Sequence, residues 1–96
     1  MSDVLPDKVI VRCKDAGVHY GTLINVEGRQ VTLADARRIW AWKGAFTLSE
    51  VAMLGINKTG SRVAMRVPLQ RLLDASEIIN CTQEAVDRIE ACNDKG

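Results

Sequence analysis

The sequence predicts a small α+β domain, in which an antiparallel sheet or a partly closed barrel is accompanied by two short helices. Three observations predict this class: stretches in which apolar and polar residues alternate, glycine-containing turns between those stretches, and two short segments that each follow a capping threonine. Because the chain has 96 residues, we expect a single domain over residues 8–92, with a flexible arm at 1–7 and a tail at 93–96.

The N-terminal half of the chain predicts a strand followed by a long hairpin. KVIVRC (8–13) is rich in β-branched residues, which favour strands. VHYGTLINV (18–26) and VTLADARRIWAW (31–42) then flank a turn around EGRQ (27–30), the arrangement expected of a β-hairpin.

Alternation along the second arm of this hairpin predicts one apolar face, made of Val31, Leu33, Ile39 and Ala41. Strict alternation would also place Asp35 and Arg37 on that face, where a buried charge is unfavourable. We therefore expect a bulge or bend near Ala34–Ala36.

The C-terminal half contains two helix starts. The sequence TLSE at 47–50 is a capping box, and Gly55 stands where a helix would end. Thr82 is the expected cap of a second short helix over residues 83–92. Between them, RVAMRV (62–67) alternates like a strand, while the stretch 69–79 is ambiguous between helix and strand.

Charge is unevenly distributed, although the net charge is only +1. Residues 1–28 carry three basic and four acidic residues, a net charge of −1. Residues 29–71 carry eight basic and two acidic residues, a net charge of +6, and residues 72–96 carry two basic and six acidic residues, a net charge of −4. This pattern indicates an anionic ligand, a complementary contact between subunits, or simply a solvated basic face.

The sequence lacks the motifs that are typical of several functional classes. The three cysteines have no metal-ligand spacing, and the single histidine, His19, has no nucleophile near it in sequence, so we expect no metal, no cofactor and no enzyme activity. No apolar stretch approaches the roughly 18–20 residues of a membrane helix, and the N-terminus does not resemble a signal peptide. We therefore expect a cytoplasmic protein.

Two of the four aromatic residues lie beside three positive charges in DARRIWAWKGA (35–45). Arg38, Trp40 and Trp42 alternate along the predicted strand and would share a face, where a guanidinium can bind phosphate and an indole can stack on a base. The predicted ligand-binding residues are these three, Arg37 or Lys43 near the phosphates, and a second set of anion contacts made by Arg62, Arg66 and Arg71. The alternative, equally weighted, is a subunit interface, where tryptophan and arginine are also enriched.

Three segments carry a resemblance to a known family: VIVRCKDAGVHYGTL (9–23), ADARRIWAWKGAFTLSEVAMLG (34–55) and SEIINCTQEA (76–85). They resemble a family of small phage proteins with an AGV…GxL strand, an ARR-[IL]-W-x-W-x-GA motif and a closing EII-x-C-T. The resemblance covers roughly residues 8–86. The sequence departs from the pattern at His19 and in the loop 56–62.

That phage family in turn resembles the first type of Thoeris anti-defence protein, which sequesters cyclic ADP-ribose isomers without cleaving them. Some of these proteins also sequester the cyclic oligonucleotides of CBASS immunity. The resemblance implies a non-enzymatic binder of a small cyclic nucleotide in the cytoplasm of the infected bacterium. It also implies a homo-oligomer, a dimer or a hexamer, with pockets where subunits meet.

Two other functions remain open for a chain with this composition. An accessory protein could stack single-stranded nucleic acid on strand-borne Arg and Trp residues, although a pI near 7.7 disfavours nucleic acid as the partner. An interaction protein could instead bind another protein through the tryptophan-containing surface.

Overall fold

The computed structural model describes residues 4–14 and 17–92. Its elements, in chain order, are β1 (Val4–Cys13), β2 (Gly17–Glu27), β3 (Gln30–Ala41), α1 (Leu48–Leu54), β4 (Arg62–Val63), β5 (Val67–Leu72), β6 (Ala75–Thr82) and α2 (Gln83–Glu90). The strands form one antiparallel sheet in the order β4-β3-β2-β1-β6, and β5 pairs with another part of β3. The predicted α+β class, with a small antiparallel sheet and two short helices, is confirmed.

The sheet remains open, because in the part of the chain that the structure describes β5 pairs only with β3 and β6 only with β1. No helix within that part is long and apolar enough to cross a membrane.

The predicted β2–β3 hairpin is present, and Gly28 and Arg29 form its turn. Gly28 has a φ of 61°, a conformation that glycine adopts at little cost. The predicted bulge is present as well, since Tyr20 pairs with Arg37 while Thr22 pairs with Ala34, which leaves one extra residue in β3. Asp35 lies at this bulge with a φ of 51°.

The bulge corrects the predicted apolar face of β3. One extra residue reverses the alternation, so side chains after Asp35 exchange faces. Val31 and Leu33 accordingly pack in one hydrophobic cluster and Ile39 in another. The prediction that Val31, Leu33 and Ile39 share a face is therefore wrong, because strict alternation does not continue across a bulge.

Each face of the sheet has its own core. The face that the helices cover carries Ile10, Tyr20 and Ile39, which pack against Val51 of α1 and Ile89 of α2. The opposite face carries a second cluster, made of Val9, Val11, Cys13, Val31, Leu33, Ala36 and Leu72. Successive β1 residues alternate between the two clusters, as the geometry of a strand requires.

Both ends of the predicted domain differ in detail from the structure. β1 begins at Val4, not at residue 8, and Val4 pairs with Thr82, so part of the expected arm is strand. The Asn80 side chain supports this extension by donating to the Leu5 and Pro6 carbonyls, at 3.1 and 3.2 Å. Residues 1–3 and the expected tail at 93–96 lie outside the described residues.

Both helices begin at the predicted threonine caps. The Thr47 hydroxyl accepts from the Glu50 backbone N–H at 3.2 Å, and the Thr82 hydroxyl accepts from the Ala85 N–H at 3.1 Å. Gly55 ends α1 with a φ of 81°, as expected of a glycine in that position. The ambiguous stretch 69–79 belongs to strands β5 and β6 and the turn between them.

Candidate functional site

A cavity of about 580 Å³ opens where β2 begins and β3 ends, a position fixed by the pairing of Val18 with Ile39. The residues that line it are Gly17, Val18, Arg38, Ile39, Trp40, Trp42 and Ala64. Its volume lies within the range typical of small-molecule sites. Arg38, Trp40 and Trp42, the central residues of the predicted site, therefore do meet at one cavity.

Arg38 is an exposed β3 residue that faces the cavity beside Gly17. A Cβ placed on Gly17 would lie 3.5 Å from the Arg38 Nη2 atom and 3.6 Å from its Nε atom. Gly17 itself has a φ of 82°, which favours glycine. The absence of a side chain at this position lets the guanidinium lie close to the Gly17 backbone.

Trp40 is half-exposed, at 49%, and it carries a cation over its ring. The guanidinium carbon of Arg62 lies 4.8 Å from the ring centroid, within the range of a cation–π interaction. Strand β4 places Arg62 there, because Arg62 pairs with Ala41, the residue after Trp40. Arg62 was predicted as an anion contact; the structure shows it stacked on the aromatic ring.

Trp42 is held more firmly than Trp40. It is half-buried, packs against the cluster beneath the helices, and donates from its indole N–H to the Ala45 carbonyl at 3.2 Å. The Trp42 indole, which is hydrogen-bonded and packed, therefore forms a fixed wall of the cavity, whereas the Trp40 ring is open to solvent.

Arg37 does not occupy the predicted position near a phosphate. It is 2% exposed, and its guanidinium donates to the carbonyls of Ala64 at 2.9 Å, Ile89 at 3.3 Å and Cys92 at 3.0 Å. The bulge causes this placement, since it moves Arg37 to the face that α2 covers. Arg37 is a structural residue that joins β3 to the end of α2, and it does not line the cavity.

The remaining predicted cations are not among the described residues that line the cavity. Lys43 is exposed, and its backbone bridges two loops, with its N–H donating to the Ser61 hydroxyl at 3.0 Å. Arg66 pairs with Glu90, and Arg71 is an exposed residue of β5, opposite Thr32 on β3. The structure therefore assembles a smaller site than the sequence predicts.

Glu90 is the centre of a polar network that joins α2 to β2. Its carboxylate accepts from the buried Tyr20 hydroxyl at 2.9 Å and from both terminal nitrogens of Arg66. Burial alone would raise the pKa of Glu90, but the bonds from Arg66 and Tyr20 outweigh that effect and hold the pKa below its ordinary value. Burial, together with the Glu90 charge, raises the pKa of Tyr20.

The three cysteines and His19 lie in the core of the protein. His19 is 1% exposed, and the three cysteines are buried. Burial raises the pKa of Cys81 to about 12 and raises the pKa values of Cys13 and Cys92, which disfavours the reactive thiolate. Within the described residues, no group of three or more His, Cys, Asp or Glu side chains could hold a metal ion.

Sequence reasoning missed the walls contributed by Gly17, Val18 and Ala64, and the stacking of Arg62 on Trp40. Ala64 lies on an irregular segment between two strands, and its N–H donates to the Arg38 carbonyl at 2.8 Å. Local sequence gives no sign of that long-range contact. Gly17 did carry a signal, because a glycine at the start of a strand often marks a close approach.

Comparison with known proteins places the chain in one family. The family model described as "Domain of unknown function (DUF6948)" matches residues 6–89. This match covers most of the chain, which therefore belongs to the DUF6948 family. Neither a curated protein nor a solved structure matches the chain significantly.

Proposed function

We propose that this member of the DUF6948 family binds a small cyclic nucleotide signal in the cavity between Arg38, Trp40 and Trp42, and holds it without cleavage. The observation that carries the proposal is the meeting of one arginine and two tryptophans at a cavity of about 580 Å³. The resemblance to phage anti-defence proteins supplies the biological role: sequestering an immune signal, a cyclic ADP-ribose isomer or a cyclic oligonucleotide, in the cytoplasm of the bacterial host.

The spacing of Arg38 and Trp40 suits a nucleotide. The two residues are two positions apart on β3 and share a face, so their Cα atoms lie roughly 6.6 Å apart. A base stacked on the Trp40 ring can therefore extend its sugar phosphate along the strand toward the Arg38 guanidinium. Arginine favours phosphate because its planar fork forms two parallel hydrogen bonds.

The residues that line the cavity favour binding a ligand without hydrolysing it. The described residues that line it include no carboxylate, imidazole or thiol, the side chains that usually act as general bases or nucleophiles. Binding would then lower the concentration of the free signal by mass action. A nanomolar Kd corresponds to about −12 kcal/mol, which stacking and phosphate contacts together can supply.

We further propose that the protein acts as a homo-oligomer, a dimer or a hexamer, with the cavity next to a subunit contact. The half-exposed Trp40 at the cavity supports this arrangement, because a second copy could cover the open side of its ring. The basic middle and acidic C-terminal parts of the chain would attract each other between copies.

The function is tested by equilibrium binding of a panel of cyclic ADP-ribose isomers and cyclic di- and trinucleotides. We expect at least one to bind the wild type, with affinity lowered roughly 10- to 100-fold in Arg38→Ala, since a charge-assisted bond is lost. Arg71→Ala, an exposed arginine away from the cavity, is the matched control and should bind normally. Equal losses in both variants, or no binding by any panel member, would contradict the proposal.

One observation favours a second candidate, a protein-interaction role. Phe46, in the loop that follows Trp42, is 95% exposed, and exposed aromatic residues are enriched where proteins bind each other. Under the nucleotide proposal, Phe46→Ala should leave nucleotide affinity unchanged. Loss of a protein partner in this variant, with no small molecule bound by the wild type, would favour the second candidate.

A further inference from the structure

The two faces of the Trp40 ring have different surroundings. Trp40 lines the cavity, whereas Arg62 is not among the described cavity-lining residues, although its guanidinium carbon is 4.8 Å from the ring centroid. The guanidinium therefore covers one face of the indole and leaves the other face for a ligand. We infer that Trp40 offers a ligand only one ring face, and that Arg62 behind it makes this face selective for uncharged bases over cationic ones. The inference rests on the proposed function.

The physical reason is the electrostatics of an aromatic ring. An indole attracts a cation to its face, and Arg62 already occupies one such position. A base stacked on the other face at about 3.5 Å would lie roughly 8 Å from the guanidinium. A positively charged base therefore meets the Arg62 cation across the ring, while an uncharged base keeps the full benefit of stacking.

The expected size of this selectivity is modest, because Arg62 is exposed and screened. Coulomb repulsion at roughly 8 Å, in a surface dielectric and at physiological ionic strength, gives about a fivefold preference. The preference should grow at low salt and nearly vanish at about 1 M salt, where the screening length is about 3 Å. A cation-binding aromatic cage, by contrast, would show the opposite preference.

A matched ligand pair tests the charge selectivity. GMP and 7-methyl-GMP carry the same phosphate, but the methylated base is a cation. We expect wild type to prefer GMP, Arg62→Ala to shift the ratio of affinities about fivefold toward 7-methyl-GMP, and Arg62→Lys to keep the wild-type ratio because it keeps the charge. An unchanged ratio in Arg62→Ala would overturn the inference. Arg71→Ala is the control for a general change in surface charge.

A second measurement needs no nucleotide. Tryptophan fluorescence is quenched by acrylamide, which is neutral, and by caesium, which is a cation. Arg62→Ala should raise caesium quenching more than acrylamide quenching, because it removes a positive charge as well as a cover over the Trp40 ring, and in a Trp40→Phe background the same substitution should change neither. Equal caesium quenching with and without Arg62 overturns the inference. If GMP, 7-methyl-GMP and every member of the cyclic nucleotide panel fail to bind but caesium quenching rises as expected, the proposed function fails while the placement of Arg62 over Trp40 stands.

Discussion

Arg37 and Arg38 are neighbours in the chain but face opposite sides of the sheet. Arg37 is 2% exposed and donates to three backbone carbonyls, whereas Arg38 is exposed at the cavity. The Ala64 segment links the two, because the Ala64 carbonyl accepts from Arg37 at 2.9 Å and the Ala64 N–H donates to the Arg38 carbonyl at 2.8 Å. Arg37 therefore holds the Ala64 segment of the cavity wall, and Arg38 faces the cavity.

Removal of Arg37 should destabilise the protein strongly. Arg37→Met leaves buried carbonyls of Ala64, Ile89 and Cys92 without these donors, and we expect the free energy of unfolding to fall by about 3 kcal/mol. Arg37→Lys should be intermediate, since it keeps the charge but not the planar fork. Urea denaturation measures all variants. Arg71→Met, at an exposed position on β5, is the control and should change stability by about 0.5 kcal/mol or less; equal losses at both positions would contradict the structural role of Arg37.

Acid should weaken the network around Glu90. The pKa of Glu90 is lower in the folded protein than in the unfolded chain. The network therefore makes its full contribution to the stability of the fold above the ordinary glutamate pKa of about 4.3. That stabilisation is lost as the pH falls through the lowered native value. Glu90→Gln should be less stable at pH 7 and should show a flatter dependence of Tm on pH below about 5. Glu84→Gln, an exposed position on the same helix, should keep the wild-type dependence.

The two helix caps should differ in their contribution. Thr82 caps α2 and also donates from its hydroxyl to the Met53 carbonyl at 2.6 Å, which joins the two helices. Thr47 caps α1 in an exposed position. We expect Thr82→Ala to lower the free energy of unfolding by about 2 kcal/mol and Thr47→Ala by about 1 kcal/mol. Chemical denaturation would measure both, and the reverse order would contradict the role of Thr82 as a bridge.

Two glycines with positive φ provide a matched comparison. A Cβ on Gly55 would lie 2.8 Å from the Arg88 Cβ and 3.2 Å from the Ala85 Cα, so Gly55→Ala combines backbone strain with a clash between the helices. A Cβ on Gly28 meets no other atom within 4 Å. We expect losses of about 3 kcal/mol for Gly55→Ala and about 1 kcal/mol for Gly28→Ala, measured by thermal unfolding. Similar losses would show that packing against α2 contributes little.

Local signals predicted much of this fold. The capping threonines set both helix starts, and a charged pair that strict alternation would bury indicated the bulge at Asp35. The alternation pattern did not predict that the bulge reverses the direction of the side chains that follow it. The extra residue at Asp35 places Arg37 under α2 and Ile39 in the cluster that the helices cover, and only the pairing with β2 reveals this change.

The cavity could be predicted only in part for a similar reason. Arg38, Trp40 and Trp42 are close in sequence and share the end of one strand, so their meeting follows from local geometry. Arg62 and Ala64 reach them through strand pairing and backbone contacts across 20 or more residues. The stretch 69–79 is ambiguous in the sequence because Leu69, Leu72 and Leu73 also have the spacing of a helix, whereas only Leu72, at 2% exposed, is buried in the observed strand.

The proposed function requires that the cavity hold an intact nucleotide. The most direct test incubates purified protein with the panel of cyclic ADP-ribose isomers and cyclic di- and trinucleotides, removes free ligand by desalting, denatures the protein by heat and identifies the released molecules by chromatography. We predict recovery of one unmodified nucleotide in near-stoichiometric amount from wild type and little from Arg38→Ala. Release of a cleaved product, or of nothing from protein that is folded before heating, would contradict the proposed function.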